Sequence, residues 1–503
     1  MQDISLSSKA FRAVRWTTLN SICQVGIQFL TLVILGRVLD PRAFGLMAMI
    51  MVVVEIVNVF ARMGLSEAII YKKTVTHNEL SSLYLLNILM GLILFIVVFI
   101  SSSFIGQLYS EPSLTPLIII ISPLFLISSL GIIFEVLLRK NLMFDSFSKI
   151  NILSHLTSFV FMVVLAILKA GVYALVLGQI CFHTVKSVLL LLFAWKQNWL
   201  PGLRLNLSEV KFYLKFGFFR VMAMFANQIN SRVDQFLVGA ILGAEVLGFY
   251  NVAFRIIYVP INKVNPILTQ VAFPFFSKIQ DNTSRLKKNY LKYINLIVSI
   301  NAGILVGITS LAHILVPLFL GKKWMSSVPI IQALIVYVVI RSILNASGAL
   351  TMAKGKANWS FYWHITMLFI IPGTTYLALE VSNSVIGVCI ALSGLFFALL
   401  FVHYRLFLRN LVGPFFVEYL QTIAKPLSLA ASMGLLIYML SLLIHDMNYL
   451  LKATILITIG IVYYTTATFI FNKLFVEELA KYLPRKAVKI LFWIRYKFNI
   501  SNN

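Results

Sequence analysis

The stretch Leu35-Gly36-Arg37-Val38-Leu39-Asp40-Pro41-Arg42-Ala43-Phe44-Gly45 sits where one apolar run, 16–38, gives way to the next, 44–62. A counterpart follows 203 residues later, Val238-Gly239-Ala240-Ile241-Leu242-Gly243-Ala244-Glu245-Val246-Leu247-Gly248, with Gly36 and Gly239, Leu39 and Leu242, and Gly45 and Gly248 in register. Each copy joins an odd-numbered apolar run to the next, the first to the second and the seventh to the eighth. An even number of runs separates the copies, so both units point the same way through a membrane. Parallel halves about an axis along the membrane normal are therefore expected, a recurrent plan among transporters.

Working outward from that turn, apolar runs of membrane-spanning length recur at 82–106, 116–137, 151–168, 172–194, 216–238, 246–274, 293–316, 329–352, 359–379, 385–404, 426–444 and 451–470. With the first two they make about fourteen. A backbone in lipid must satisfy its own hydrogen bonds, so runs of about twenty apolar residues read as helices. The expected fold is an all-α polytopic membrane protein. Composition agrees: 60% of the residues are hydrophobic, 12% are charged, and mean hydropathy is +0.92. A soluble domain carries about 25% charge, so this chain cannot clothe a surface in water.

The formal charge of +25 would suit a nucleic-acid binder if it were concentrated on one face. Instead, 29 of the 42 Lys and Arg residues fall in the N-terminal segment, the tail and every second loop, and only 6 in the alternate loops. That asymmetry is the positive-inside bias, which places both termini in the cytoplasm and argues against a nucleic-acid partner. Lys9, Arg12 and Arg15 precede the first run, which is too long for a cleavable signal and reads as a retained span. Cys23, Cys181 and Cys389 lie far apart in apolar runs, without the spacing of a metal site or disulfide framework. The basic and aromatic segment Lys473 to Lys497 reads as amphipathic, lying on anionic lipid.

Charged residues inside the spans point to function. Arg62, Lys186, Arg220, Arg232, Arg255, Lys263 and Arg341 lie at membrane depth, with Glu55 and Asp234. Seven isolated cations in lipid would cost on the order of 17 kcal/mol, so they must pair, snorkel or line water. Helical spacing aligns Arg220, Asn227, Asn230 and Asp234 on one face of the seventh span, with Gln228, Ser231 and Gln235 beside them. In the eighth span Asn251, Arg255, Tyr258, Asn262, Asn265 and Thr269 form a second stripe; Asn20, Gln24, Gln28 and Thr31 repeat it in the first, and Glu55, Asn58 and Arg62 in the second. Interhelical glue needs only one or two polar groups per helix. Stripes this long predict a water-filled cavity with a cationic excess, suited to anions. Candidate substrate-binding residues are Arg62, Arg220, Asn227, Arg232, Asn251 and Arg255. Glu55 and Asp234 are candidate ion-coupling acids, and neutralising a nearby arginine fits each of them equally. His155, His183 and His364 read as core residues. Lys186, near mid-span, fits either a functional cation or one that simply pairs with a neighbouring helix. Pro260, Pro266 and Pro274 should kink or loosen the eighth span.

Several short motifs, taken in order, resemble one family. They are Ser231-Arg232-Val233-Asp234-Gln235-Phe236-Leu237-Val238-Gly239, the stretch Leu242 to Tyr250, and Phe273-Pro274-Phe275-Phe276-Ser277-Lys278-Ile279-Gln280. Gly64-Leu65-Ser66-Glu67-Ala68, Gly178-Gln179 and Lys323-Trp324-Met325 fit the same pattern. Together they are similar to the Wzx-like polysaccharide transporters of the multidrug/oligosaccharidyl-lipid/polysaccharide (MOP) exporter superfamily, nearest the colanic acid type. The resemblance implies a flippase for undecaprenyl-diphosphate-linked oligosaccharides in the bacterial inner membrane, with polysaccharide polymerase machinery as a further partner. It also implies two six-helix lobes, at 1–195 and 216–410, joined by a cytoplasmic linker at 196–215. Two additional helices at 411–472 and a basic tail at 473–503 complete the division. A cofactor and catalytic residues are not expected. The sequence lacks the G-x-x-x-x-G-K-[ST] pattern of a nucleotide-driven pump. A MATE-type drug antiporter would need an acidic site, and a membrane polymerase or ligase a sizeable external loop; neither is evident.

Overall fold

A computed structural model of the chain describes residues 2–61, 69–70, 72, 75–202, 204–444 and 447–479; the side chains of 2–14, 207, 209, 212, 214–220, 223 and 357 lie outside the description. The described residues are helical and contain no strand. They fall into two compact units, Met1–Asn251 and Val252–Asn503.

The first unit holds α1 (Gln2–Val38), α2 (Pro41–Ala61), α3 (His77–Ile100), α4 (Ser102–Leu108), α5 (Leu114–Ile121), α6 (Pro123–Lys140), α7 (Phe144–Ile167), α8 (Val172–Lys196) and the start of α9 (Leu207–Lys278). Local chemistry sets several ends. Thr76 and Glu79 form a capping box at the start of α3, the Thr76 hydroxyl accepting from the Glu79 N–H at 3.3 Å and the Glu79 carboxylate from the Thr76 N–H at 3.1 Å. Pro123 opens α6 where a missing N–H costs nothing, so the expected fourth span is two collinear helices, α5 and α6, divided at Ser122. Helix α1 packs along α7, α7 along α8, and α6 against both α3 and α8.

The second unit contains the rest of α9, α10 (Thr283–Phe319), α11 (Ser327–Ala353), α12 (Ala357–Ser382), α13 (Val385–His403), α14 (Phe416–Leu443), α15 (Tyr449–Phe471) and α16 (Lys473–Leu479). Helix α10 begins ten residues before the apolar run does, capped by the Asn282 side chain, which accepts from the Arg285 N–H at 2.9 Å. Its first turns carry Lys287 and Lys292, which reach Glu418 at 2.8 Å and Glu477 at 2.9 Å. Burial pushes the Glu477 carboxyl up, but hydrogen bonding to the Lys292 ammonium and the neighbouring lysines outweighs it and holds the group below its ordinary range. The two C-terminal membrane helices are pinned to α10: the Tyr464 hydroxyl donates to the Ser299 carbonyl at 2.6 Å, and Asn295 donates to the Thr422 carbonyl at 3.2 Å.

Thirteen helices among the described residues are long and apolar enough to cross a membrane. One of them, Met224–Lys278, runs for 55 residues. At 1.5 Å per residue that is about 80 Å, far beyond a hydrocarbon core of about 30 Å. Within α9 the backbone leaves helical geometry at Gly243, φ 85° and ψ 177°, a conformation only glycine adopts readily. The break falls at the turn expected between the seventh and eighth spans, which makes fourteen candidate passes among the described residues. Pro260, Pro266 and Pro274 do not interrupt the helical backbone.

The two copies of the repeated turn meet inside the first unit. A Cβ on Gly45 would stand 1.6 Å from the Ala244 carbonyl oxygen, and one on Gly248 would stand 2.0 Å from the Pro41 carbonyl oxygen. Pro41 and Ala244, like Gly45 and Gly248, are separated by the repeat distance of 203. The contact is thus reciprocal, each glycine against the partner copy's helix start, as a two-fold relation requires. Gly45→Ala and Gly248→Ala should each destabilise the purified protein by about 1–3 kcal/mol, the usual cost of overpacking. Gly26→Ala, where a Cβ meets nothing within 4 Å, should leave the melting temperature unchanged. A Gly45→Ala protein as stable as wild type would contradict this packing.

Candidate functional site

The polar stripes of α2 and α9 converge on one carboxylate. Glu55 of α2 receives Arg232 bidentately, with Nε to Oε2 at 2.5 Å and Nη2 to Oε1 at 2.7 Å. The Gln228 amide adds a third bond to Oε2 at 2.8 Å. Gln228 and Arg232 are one helical turn apart on α9, so both face α2 together. The remaining guanidinium edge donates from Nη1 to Gln235 Oε1 at 3.0 Å, and Asn251 Nδ2 reaches the same oxygen at 3.4 Å. Glu55 and Arg232 are each about a quarter exposed, which makes this a charge-assisted pair at membrane depth.

Asp234 is in a different position. It is 3% exposed, its Oδ2 accepts from the Tyr250 hydroxyl at 2.6 Å, and its Oδ1 has no hydrogen-bond partner. Asn230 and Gln235 beside it are also buried. The expected stripe on the seventh span is therefore divided: Asn230, Asp234 and Gln235 turn into protein, and Asn227 is exposed.

In the second unit Arg255 is exposed on α9. Further along the same helix, Asn265 accepts from Asn301 of α10 at 2.9 Å, and Thr269 meets the Tyr293 hydroxyl at 3.0 Å. Arg341 of α11 lies between two rings, 5.1 Å from the centroid of Tyr258 and 5.6 Å from that of Tyr337, whose hydroxyl it also contacts. Among the expected site residues, Glu55, Arg232 and Asn251 thus share one network and Asp234 has a separate one. Arg62 lies outside the described residues, as does the side chain of Arg220.

Sequence reasoning missed Glu135 on α6. It takes Lys186 of α8 at 2.6 Å and Arg139, one turn along its own helix, at 2.5 Å. The signal was present, since a lysine in the middle of a span requires an acid on a neighbouring helix. His155 is likewise engaged, meeting Gln24 of α1 at 2.8 Å and packing 4.3 Å from the Phe182 ring.

With this geometry in place, relatives decide the family. Residues 34–329 match the family described as polysaccharide biosynthesis protein. An uncharacterized membrane protein in the cps region of Klebsiella pneumoniae is 32% identical over 480 residues, covering 94% of this chain and 98% of the relative. The chain belongs to the polysaccharide biosynthesis protein family. The lipopolysaccharide biosynthesis protein WzxC of Escherichia coli K12, a further relative of this family member, is 29% identical over 85% of the chain and 86% of its own length. The solved lipid II flippase MurJ in an inward closed conformation has the same fold, with a TM-score of 0.69 at 18% identity over 92% of this chain and 98% of that one. An inward-facing MATE multidrug transporter of the MOP superfamily matches at 0.59 and 15% identity over 78% of the chain and 98% of its own. The family member thus shares the fold of these two solved proteins.

Pairing between Glu55 and Arg232 should appear in a double-mutant cycle. Glu55→Gln and Arg232→Gln should each lower stability in detergent, and the double substitution should cost less than their sum by about 1.5–3 kcal/mol, the worth of a hydrogen-bonded charge pair. Strict additivity in thermal or denaturant unfolding would show that the two side chains act independently.

Proposed function

We propose that this chain is a flippase that carries an undecaprenyl-diphosphate-linked oligosaccharide, a polysaccharide repeat unit, across the bacterial cytoplasmic membrane. It works by alternating access, with both termini on the cytoplasmic side. Family membership supports a role in polysaccharide biosynthesis, and the fold supports a transporter. The observation that carries the anionic cargo is charge at membrane depth. The spans hold seven cations, Arg62, Lys186, Arg220, Arg232, Arg255, Lys263 and Arg341, against the acids Glu55, Glu135 and Asp234. A cationic surface at low dielectric favours phosphate and carboxylate and opposes the cationic drugs of an antiporter. The undecaprenyl tail needs no polar path, because it stays in lipid while the headgroup crosses.

Within this reading the residues divide by how they are engaged. Arg232 is held by Glu55, so its contribution is to fix the wall of the site and leave one guanidinium edge on Gln235. Arg255, exposed and one turn from both Asn251 and Tyr258 along α9, grips an anionic group through the fork of the guanidinium. On the first unit's own sequence, Arg62 and Arg220 are further candidates for anionic groups of the cargo, and Asn227 and Asn251 for its sugar hydroxyls. Asp234 is the coupling acid: its buried carboxylate has one oxygen on Tyr250 and the other without a partner, which suits a proton or a small cation. Glu55 neutralises Arg232 instead of coupling. Polysaccharide polymerase machinery takes up the flipped product.

Loss of a charged contact costs about 1.5–3 kcal/mol, tenfold or more in affinity. Arg255→Ala should therefore reach normal membrane levels and lose at least tenfold in glycan export, measured as surface polysaccharide, and Arg255→Lys should recover part of it. Asp234→Asn should lose the response to an imposed ion gradient. Wild-type export by normally expressed Arg255→Ala protein would remove this residue from the site.

A further inference from the structure

Helices α6 and α8 approach closely at Gly131, where a Cβ would stand 3.0 Å from Leu190 Cδ1 and 3.1 Å from both Cα and Oγ of Ser187. This approach sets the register that brings Glu135, one turn beyond Gly131, beside Lys186. Glu135 Oε2 meets Lys186 Nζ at 2.6 Å, and Oε1 meets Arg139 Nη2 at 2.5 Å. The three side chains line a cleft of about 170 Å³ that also receives Asn58 of α2 and His183 of α8. Lys186 lies ten residues before the end of α8 at Lys196, which is about 15 Å along the helix and half the depth of the hydrocarbon core.

A pair needed only to insert Lys186 into the membrane would be complete with Glu135 and could be packed shut. Here a second cation shares the same carboxylate, and open space adjoins all three. An ammonium has three donors and a guanidinium five, against a carboxylate that accepts about four bonds. Arg139 is 45% exposed, whereas Lys186 and Glu135 are 19% and 18% exposed, so the cluster runs from the rim of the cleft into its floor. Asn58 belongs to the same polar stripe of α2 as Glu55.

We infer that this cleft is a second anion site on the cargo's route, in which Glu135 stands in for a phosphate or carboxylate of the glycan and is displaced from Arg139 and Lys186 when the cargo arrives. The inference rests on the reading of an anionic cargo. Occupation by Glu135 keeps the cations compensated while the site is empty, since an unpaired charge at this depth is strongly destabilising. The same competition weakens cargo binding, and a site along a transport path must release what it binds.

The test uses the full chain in phosphatidylcholine nanodiscs, titrated calorimetrically with inorganic pyrophosphate and, separately, with glucuronate. Glu135→Gln removes the competitor and should tighten binding of the matching anion about tenfold, and Arg139→Met should loosen it about tenfold. Arg139→Met leaves the Glu135–Lys186 pair intact, so it remains informative if Glu135→Gln fails to fold. Which probe responds tells phosphate from carboxylate. A purely structural cluster gives lower melting temperatures without any change in affinity, which overturns the inference. Phosphatidylglycerol nanodiscs that abolish the binding would assign the cleft to lipid headgroups, and also overturn it. Loss of export in Arg255→Ala alongside unchanged affinity in Glu135→Gln and Arg139→Met would refute this site and leave the flippase reading standing.

Discussion

Backbone contact between Gly45 and Gly248 is the constraint on which the first unit depends. Each glycine lies against the carbonyl at the start of the other copy's helix, at distances where a methyl group cannot fit. In lipid no hydrophobic force drives helices together, and close packing of small residues supplies the attraction. The contact is reciprocal between the two copies of the turn, as an internal two-fold axis requires. From this contact α2 and the first half of α9 leave side by side, which places Glu55 where Gln228 and Arg232 can reach it.

Charge economy within the membrane accounts for most of the remaining polar architecture. Three carboxylates at depth each meet a different fate: Glu55 is gripped by an arginine and a glutamine, Glu135 is shared between two cations, and Asp234 is held by a single tyrosine hydroxyl. An arginine fork suits a permanent pair. A shared carboxylate suits exchange with another anion, and a half-satisfied one suits a mobile proton or cation. The three carboxylates thus differ in the number and kind of donors around them.

Much of the fold was legible in the sequence because lipid makes hydropathy nearly sufficient. Span positions follow from where polar residues are excluded. The break at Gly243 was less legible, since the L-G pattern marks a turn without saying that helix continues on both sides. Pro260, Pro266 and Pro274 lie inside continuous helix, since the missing bonds of a proline can be absorbed within a membrane helix. For the site, the stripes identified which helices are polar but not which neighbour each polar group meets. Arg232 and Glu55 are 177 residues apart, and Lys186 and Glu135 lie on helices whose register is set by Gly131. Such pairings are properties of packing and leave no local periodicity. Arg62 and the Arg220 side chain remain expectations of the sequence.

The proposed function requires that an anionic lipid-linked headgroup cross the membrane through this protein. Its most direct measurement is leaflet transfer in proteoliposomes containing the purified chain and a fluorescent undecaprenyl-diphosphate oligosaccharide, with outer-leaflet label quenched at intervals. A flippase for the anionic headgroup should give protein-dependent transfer of the diphosphate-linked glycan and little transfer of an uncharged polyprenyl glycoside carrying the same sugars. Equal transfer of both lipids, or none of the charged one under any imposed gradient, would contradict it.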